Sequence, residues 1–309
     1  MSSCSPATSS LDTGEPAEAV TASHTPFQRV VAQPSDTAEP TPQPSVTPSP
    51  DFSPTPDTRP LSSDWRNWPT IPTLSPWLEE VYQRGLDQGS DPHRFSVAGD
   101  CQNIPEAFMG LYDNKERVVF GANEQYLWET VDYFGGSWSR NGLAVDGGFN
   151  FPAVFSPLRA DPATCGANED PLSCEIRTYK PAFMFISMEF VYPGRTSENY
   201  EVNLRQAIQY VLEHNVIPIV LTKADNVEGN HAINEATARV AYDYDIPLIN
   251  WWRAAQSLDG HGIDWERDAN TVPQGFHITE EQGWSTRSYL GLKTLDEFLR
   301  SLDVLETES

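Results

Sequence analysis

Apolar positions in the second half of the chain follow two periods, one typical of helices and one typical of buried strands. Helices are predicted over 198–215, 231–245 and 286–302, and short apolar strands over 216–226 and 246–252. In the first of these helices one face is made by five apolar residues: Val202, Leu204, Ile208, Val211 and Leu212. This regular alternation of strand and helix indicates a parallel sheet covered by helices.

The first half of the domain gives a similar but less regular pattern. Residues 93–100 predict a buried strand that ends in a glycine turn, and 103–112 predict a turn followed by a helix. A helix is predicted over 123–136, and 142–151 predict a short strand that enters a glycine-rich turn. The run 181–191 is apolar throughout, which favours a central strand. The sequence therefore predicts an α/β fold, a three-layer α/β/α sandwich whose ligands bind at the carboxyl ends of the strands.

The composition changes near residue 60. Proline recurs through residues 1–60 between Ser and Thr, whereas the first tryptophan is Trp65. A segment of this kind buries too little apolar surface to offset its ordering entropy. We therefore predict a disordered tether over 1–60 and one folded domain over 61–309.

The formal net charge of the chain is −24. Such a balance argues against a nucleic-acid partner, because phosphate binding requires a basic surface. A solvated acidic surface and an attraction for cationic ligands both fit this charge. No apolar run reaches the roughly 18 residues of a membrane span, so membrane contact is expected only through an anchor.

We expect the four cysteines to have three different roles. Cys4, followed at once by the tether, resembles the start of a mature bacterial lipoprotein, with a stray cysteine as the alternative. An exported protein, either lipid-anchored at Cys4 or secreted, is the expectation. Cys165 and Cys174 flank a short polar loop and predict a disulfide in preference to a metal site. Cys101 has no evident partner, so it is either a small buried residue or a functional one.

Several motifs together resemble the SGNH (GDSL) hydrolase family over roughly residues 93–302. They are the strand ending "AGDC", the glycine turn at Gly147-Gly148, the run "VIPIVLTKADN" and the late "GFHIT" before the final helix. The resemblance implies a five-stranded parallel sheet and hydrolysis of esters without a cofactor or metal. It places Cys101 in the nucleophile position, His277 as the base, and Gly148, or Gly147, as an oxyanion donor.

The chain departs from the family pattern at three places. Cysteine replaces the nucleophilic serine, "ISMEFVYPG" lacks the glycine and asparagine of the third block, and Gln274 stands where the fifth block has an aspartate. A thiol with a nearby imidazole is a competent nucleophile, and the missing acid has candidate substitutes. These are Asp259, Asp264 and Asp268.

Two hypotheses on function follow. The first is a monomeric hydrolase that acts on ester or thioester groups of envelope or extracellular glycans or lipids. The second is a non-catalytic surface module that binds a glycan or another envelope ligand in the same cleft. The loss of one oxyanion donor, which is typically worth about 2.7–4 kcal/mol, favours a weakened or repurposed site.

Overall fold

The computed structural model describes residues 59–189, 196–265 and 277–306. The predicted tether, apart from Arg59 and Pro60, lies outside the described residues, and so does Cys4, the residue expected to carry a lipid anchor. The described strands are β1 (Asp91–Gly99), β2 (Pro181–Ser187), β3 (Ile217–Leu221) and β4 (Leu248–Ile249). The α-helices are α1 (Pro76–Asp87), α2 (Leu127–Tyr133), α3 (Phe151–Val154), α4 (Pro171–Tyr179), α5 (Ser197–Glu213), α6 (Ala232–Tyr244), α7 (Trp251–Ala255) and α8 (Gly283–Ser301).

The four strands form one parallel sheet in the order β1-β2-β3-β4. Every residue of β2 and β3 is buried, as expected for strands covered on both faces. Phe183 of β2 pairs in register with Phe95 of β1 and Ile217 of β3. All carboxyl ends consequently lie at the same edge, and the predicted α/β class is confirmed.

Helices cover the sheet in two layers. The ring of Phe183 contacts Tyr82 of α1 and Phe298 of α8, so these two helices share one layer. Helices α5 and α6 pack against each other, and each joins neighbouring parallel strands in the manner of a crossover helix. None of the described helices is both long enough and apolar enough to span a bilayer.

The expected fifth strand is reduced to a single bridge in the described residues. Val145 pairs in parallel with Gly99 at the end of β1. Gly99 N–H donates to Ala144 O at 3.0 Å, and Asp146 N–H donates to Gly99 O at 3.3 Å. The pairing does not extend because Gly142, Gly147 and Gly148 flank it, and glycine weakens a strand through its entropy and its missing side chain. The five-stranded expectation is therefore corrected to four strands plus this bridge.

Two further expectations differ from the structure. The predicted helix within 103–112 is a series of turns that ends in a 3-10 helix, Gly110–Asp113. Met109 has a φ of 70°, and Gly110 N–H donates to Pro105 O, so the chain turns before a helix can propagate. The strand predicted over 246–252 is short because Asn250 caps α7, which contains both Trp251 and Trp252.

Candidate functional site

Polar side chains from three neighbouring strand ends line one open pocket. The turn after β1 contributes Asp100, and the end of β2 with the residues after it contributes Ser187 and Glu189. Lys223 follows β3, and Arg287 reaches the pocket from α8. The pocket therefore lies where parallel α/β folds bind their ligands.

The turn after β1 is fixed by its own hydrogen bonds. Asp100 Oδ1 accepts from Gln102 N–H at 3.0 Å and from Asn103 Nδ2 at 2.9 Å. Asn103 Nδ2 also donates to Ser187 O at 2.9 Å and thereby joins the ends of β1 and β2. Gly99 is required for this close approach, since a Cβ at that position would lie 2.4 Å from Asn103 Cβ. The geometry holds Asp100 rigidly at the pocket wall.

Arg287 ties the last helix to both strand ends. Its guanidinium donates to Gln102 O at 2.8 Å, to Asn103 Oδ1 at 2.6 Å and to Ser187 Oγ at 2.7 Å. The group also lies over the Phe108 ring, 4.3 Å from its centroid. Burial lowers the pKa of Arg287, although the charges of Glu189 and Asp100 oppose this shift. The three acceptors are neutral oxygens, so the positive charge acts on the carboxylates through space.

Glu189 is the carboxyl group with the least hydrogen-bond support in the pocket. Its Oε2 accepts from Ser187 Oγ at 2.6 Å, whereas its Oε1 is buried and accepts no hydrogen bond. The residue is 7% exposed. Burial raises the pKa of Glu189 to about 7, with the charge of Arg287 opposing the shift. The pKa of Asp100 is also raised, mainly by burial and secondly by the charge of the nearby Glu189.

Lys223 forms a second charged group at the end of β3. Its Nζ donates to Asp225 Oδ1 at 2.6 Å and to Glu228 Oε2 at 2.5 Å. Asn234 of α6 fixes the backbone of Lys223 by accepting from its N–H at 2.8 Å and donating to its carbonyl at 2.9 Å. Burial raises the pKa of Asp225, and the Lys223 charge opposes that rise. One ammonium thus faces two carboxylates.

The structure brings together the segments that carry the predicted nucleophile and base. Ile278 N–H donates to Gln102 Oε1 at 3.3 Å, so the residue after His277 is bonded to the residue after Cys101. Gly148 is exposed with a φ of 87°, and it lies three residues beyond the bridge between Val145 and Gly99. None of Cys101, Gly148 and His277 is among the described residues that line the pocket itself.

Cys101 differs from its expected state. It is 8% exposed and disulfide-bonded, whereas the sequence showed no evident partner for it. Its sulfur is therefore not a thiol in this state.

The three aspartates that could substitute for the fifth-block acid lie in different parts of the chain. Asp264 N–H donates to His277 O at 2.9 Å, which brings its backbone beside the histidine. Asp259 begins a 3-10 helix, Asp259–Gly262. Asp268 and Gln274 lie outside the described residues. Asp264 is thus the candidate whose backbone is bonded to that of the buried His277.

Glu189 and Arg287 are pocket residues that no sequence motif predicted. Their sequence signals were a charge directly after an apolar strand and an arginine on the apolar face of an amphipathic helix. Both patterns are compatible with ordinary solvent exposure. Their burial depends on how α8 lies across the strand ends, which the local pattern does not specify.

The predicted Cys165–Cys174 disulfide is confirmed. Among the described residues, the single group with metal-ligand spacing is Cys165, Glu169 and Cys174. Both sulfurs of that group are in the disulfide, so they are not thiolate ligands. The carboxylates of the pocket do not form such a group in the described part of the chain.

Comparisons with known proteins give similarity at the level of solved structures. No family model matches the chain, and no curated protein matches it. A lipase/acylhydrolase from Enterococcus faecalis is 13% identical with a TM-score of 0.41, covering 70% of this chain and 99% of that one. A GDSL-like lipase from Bacteroides thetaiotaomicron is 12% identical with a TM-score of 0.41, covering 75% and 98%. An alpha/beta hydrolase from the metagenome of Lake Arreo, Spain, is 12% identical with a TM-score of 0.41, covering 71% and 97%. Values this low do not transfer an activity to this chain.

Proposed function

We propose that this protein is an acyl hydrolase of the SGNH type, with Cys101 as nucleophile in its reduced form. The hydrogen bond between Ile278 N–H and Gln102 Oε1 carries the proposal, because it joins the turn of Cys101 to the segment of His277. Substrates are ester or thioester groups of envelope or extracellular glycans or lipids. The position of both segments at the end of β1 supports this assignment.

The chemistry begins with reduction of the Cys101 disulfide by an external dithiol, which supplies two electrons. The Cys101 thiolate then attacks the acyl carbon, forming a thioester as the ester C–O bond breaks. His277 takes the thiol proton and passes it to the leaving oxygen. The N–H groups of Gly148 and Cys101 stabilise the oxyanion. Water attacks the thioester with His277 again as the base, releasing the acid and regenerating the thiol.

Turnover of p-nitrophenyl acetate by oxidised and reduced protein tests the proposal. We expect hydrolysis only after reduction, and a fall of about 100-fold or more in both Cys101→Ala and His277→Ala. The double variant Cys165→Ala/Cys174→Ala is the matched control, since it removes the other disulfide and is expected to retain turnover. Equal rates in reduced wild type and Cys101→Ala would exclude Cys101 as nucleophile.

A second candidate function is a non-catalytic module that binds a glycan or another envelope ligand. The disulfide at Cys101 favours it, because a sulfur held in that bond is not a nucleophilic thiolate. Ligand-dependent thermal stabilisation of the oxidised protein, with no turnover in either redox state, would select this candidate. Stabilisation follows from binding to the folded state alone.

We also propose an extracytoplasmic location. Cys165 and Cys174 are bonded to each other and Cys101 is disulfide-bonded, and such bonds persist in oxidising compartments. The proposed lipid anchor at Cys4 lies outside the described residues.

A further inference from the structure

The pocket at the strand ends contains an unpartnered acceptor that the proposed hydrolysis does not use. Glu189 Oε1 is buried, accepts no hydrogen bond and belongs to a side chain that lines the pocket. A buried polar atom left without a partner typically costs about 1–3 kcal/mol, and more when it is charged. A donor from a ligand would remove that cost.

Among the described residues, carboxyl groups outnumber cationic groups around this atom. Lys223 is bonded to both Asp225 and Glu228, so its ammonium is already shared between two carboxylates. Arg287 gives its hydrogen bonds to Gln102 O, Asn103 Oδ1 and Ser187 Oγ. Among the described residues, neither Lys223 nor Arg287 donates a hydrogen bond to Glu189, and Asp100 adds a second carboxyl group to the same pocket wall.

We propose that this pocket binds the primary ammonium group of a small ligand, with Glu189 Oε1 as its principal acceptor and Asp100 as a second carboxyl group on the same wall. The pocket is open and is lined by Glu189 and Asp100, which suits a small ammonium-bearing group. An amino sugar and an aminoacyl ester both carry this group. The net charge of −24 attracts such cations to the protein.

Calorimetric titration of the oxidised full chain with ethanolamine tests the site. Ethylene glycol is the matched neutral probe, since it replaces the ammonium by a hydroxyl at nearly the same size. We expect ethanolamine to bind at least about 10-fold more tightly, because a hydrogen bond to a charged group contributes about 1.5–3 kcal/mol. Parallel titrations with glucosamine and with alanine methyl ester identify which source of the ammonium fits the pocket.

Two variants assign the binding to Glu189. Glu189→Gln keeps the shape and removes the charge, and we expect its affinity for ethanolamine to fall about 10-fold or more. Glu213→Gln, at an exposed position on α5, is expected to bind like wild type. Unchanged affinity in Glu189→Gln, equal affinities of wild type for the two probes, or no binding by wild type would each overturn the proposal.

The pH dependence gives an independent readout. Burial raises the pKa of Glu189 to about 7, so affinity is expected to fall as pH decreases from 8 to 5.5 while ethanolamine stays protonated. The other groups near Glu189 are Asp100, Lys223, Asp225, Glu228, Arg287 and Tyr200. Protonation of Asp100 acts in the same direction, because its pKa is also raised. Binding is measured on the oxidised protein, whereas turnover is measured on the reduced protein. A failure of ethanolamine binding is therefore distinguishable from a failure of Cys101-dependent turnover.

Discussion

Glu189 has a carboxyl group in a position where burial opposes its ionisation. Its pKa in the folded protein, about 7, lies above the ordinary value of 4.5. A raised pKa means that the folded state binds the proton more tightly than the unfolded state does. The contribution of Glu189 protonation to the free energy of unfolding is therefore fully present below pH 4.5. It is lost as pH rises through about 7.

Replacing Glu189 by glutamine is expected to stabilise the protein at high pH. Glutamine is neutral at every pH and retains an oxygen that accepts from Ser187 Oγ. We expect the free energy of unfolding of Glu189→Gln to exceed that of wild type by on the order of 1–3 kcal/mol at pH 8 and to match it near pH 4.5. Urea denaturation at the two pH values measures this, with Glu213→Gln as control. An equal difference in the free energy of unfolding at both pH values would contradict the raised pKa of Glu189.

At the level of elements, the end of β1 is shaped by a close approach between backbone and side chain. Gly99 provides the last residue of β1, and the side chain of Asn103 occupies the space where a Cβ would lie. That side chain bonds both Asp100 and Ser187 O. The glycine thus holds the ends of β1 and β2 together through Asn103.

Gly99→Ala is expected to lower the free energy of unfolding by about 1–3 kcal/mol, because the new methyl group displaces Asn103. Gly147→Ala is the matched control, since a Cβ there meets nothing within 4 Å. Urea denaturation of both variants at pH 7 makes the comparison. Equal stability of the two variants would show that Asn103 moves aside without cost.

At the level of the whole molecule, disulfides connect the fold to its compartment. Cys101, Cys165 and Cys174 are all oxidised, and the structure records no free cysteine among the described residues.

Peptide mapping without reduction, on protein purified from its native host, tests the extracytoplasmic location. We expect Cys165 and Cys174 to be recovered as one cross-linked peptide pair and Cys101 as part of another. Recovery of all three as free thiols would return the protein to a reducing compartment.

The sequence alone determined the features that depend on short-range patterns. The long helices α5 and α8 lie within three residues of their predicted bounds at each end, because periodic apolar faces over many residues leave little ambiguity. The strand at 181–187 and the Cys165–Cys174 bond were also predictable, one from a continuous apolar run and the other from a nine-residue separation. The parallel α/β class followed from the order of these elements.

The tertiary structure decided what depends on contacts between distant residues. Arg287 and Ser187 are separated by 100 positions, yet their hydrogen bond helps enclose the pocket around Glu189. Whether Val145 extends a strand or makes one bridge depended on glycines beside β1. The tertiary structure also decided that Cys101 is disulfide-bonded and not a thiol. Local sequence specifies which segments can be helix or strand. The charge environment of a buried group is set by packing, since it is the sum over all neighbours that the fold brings together.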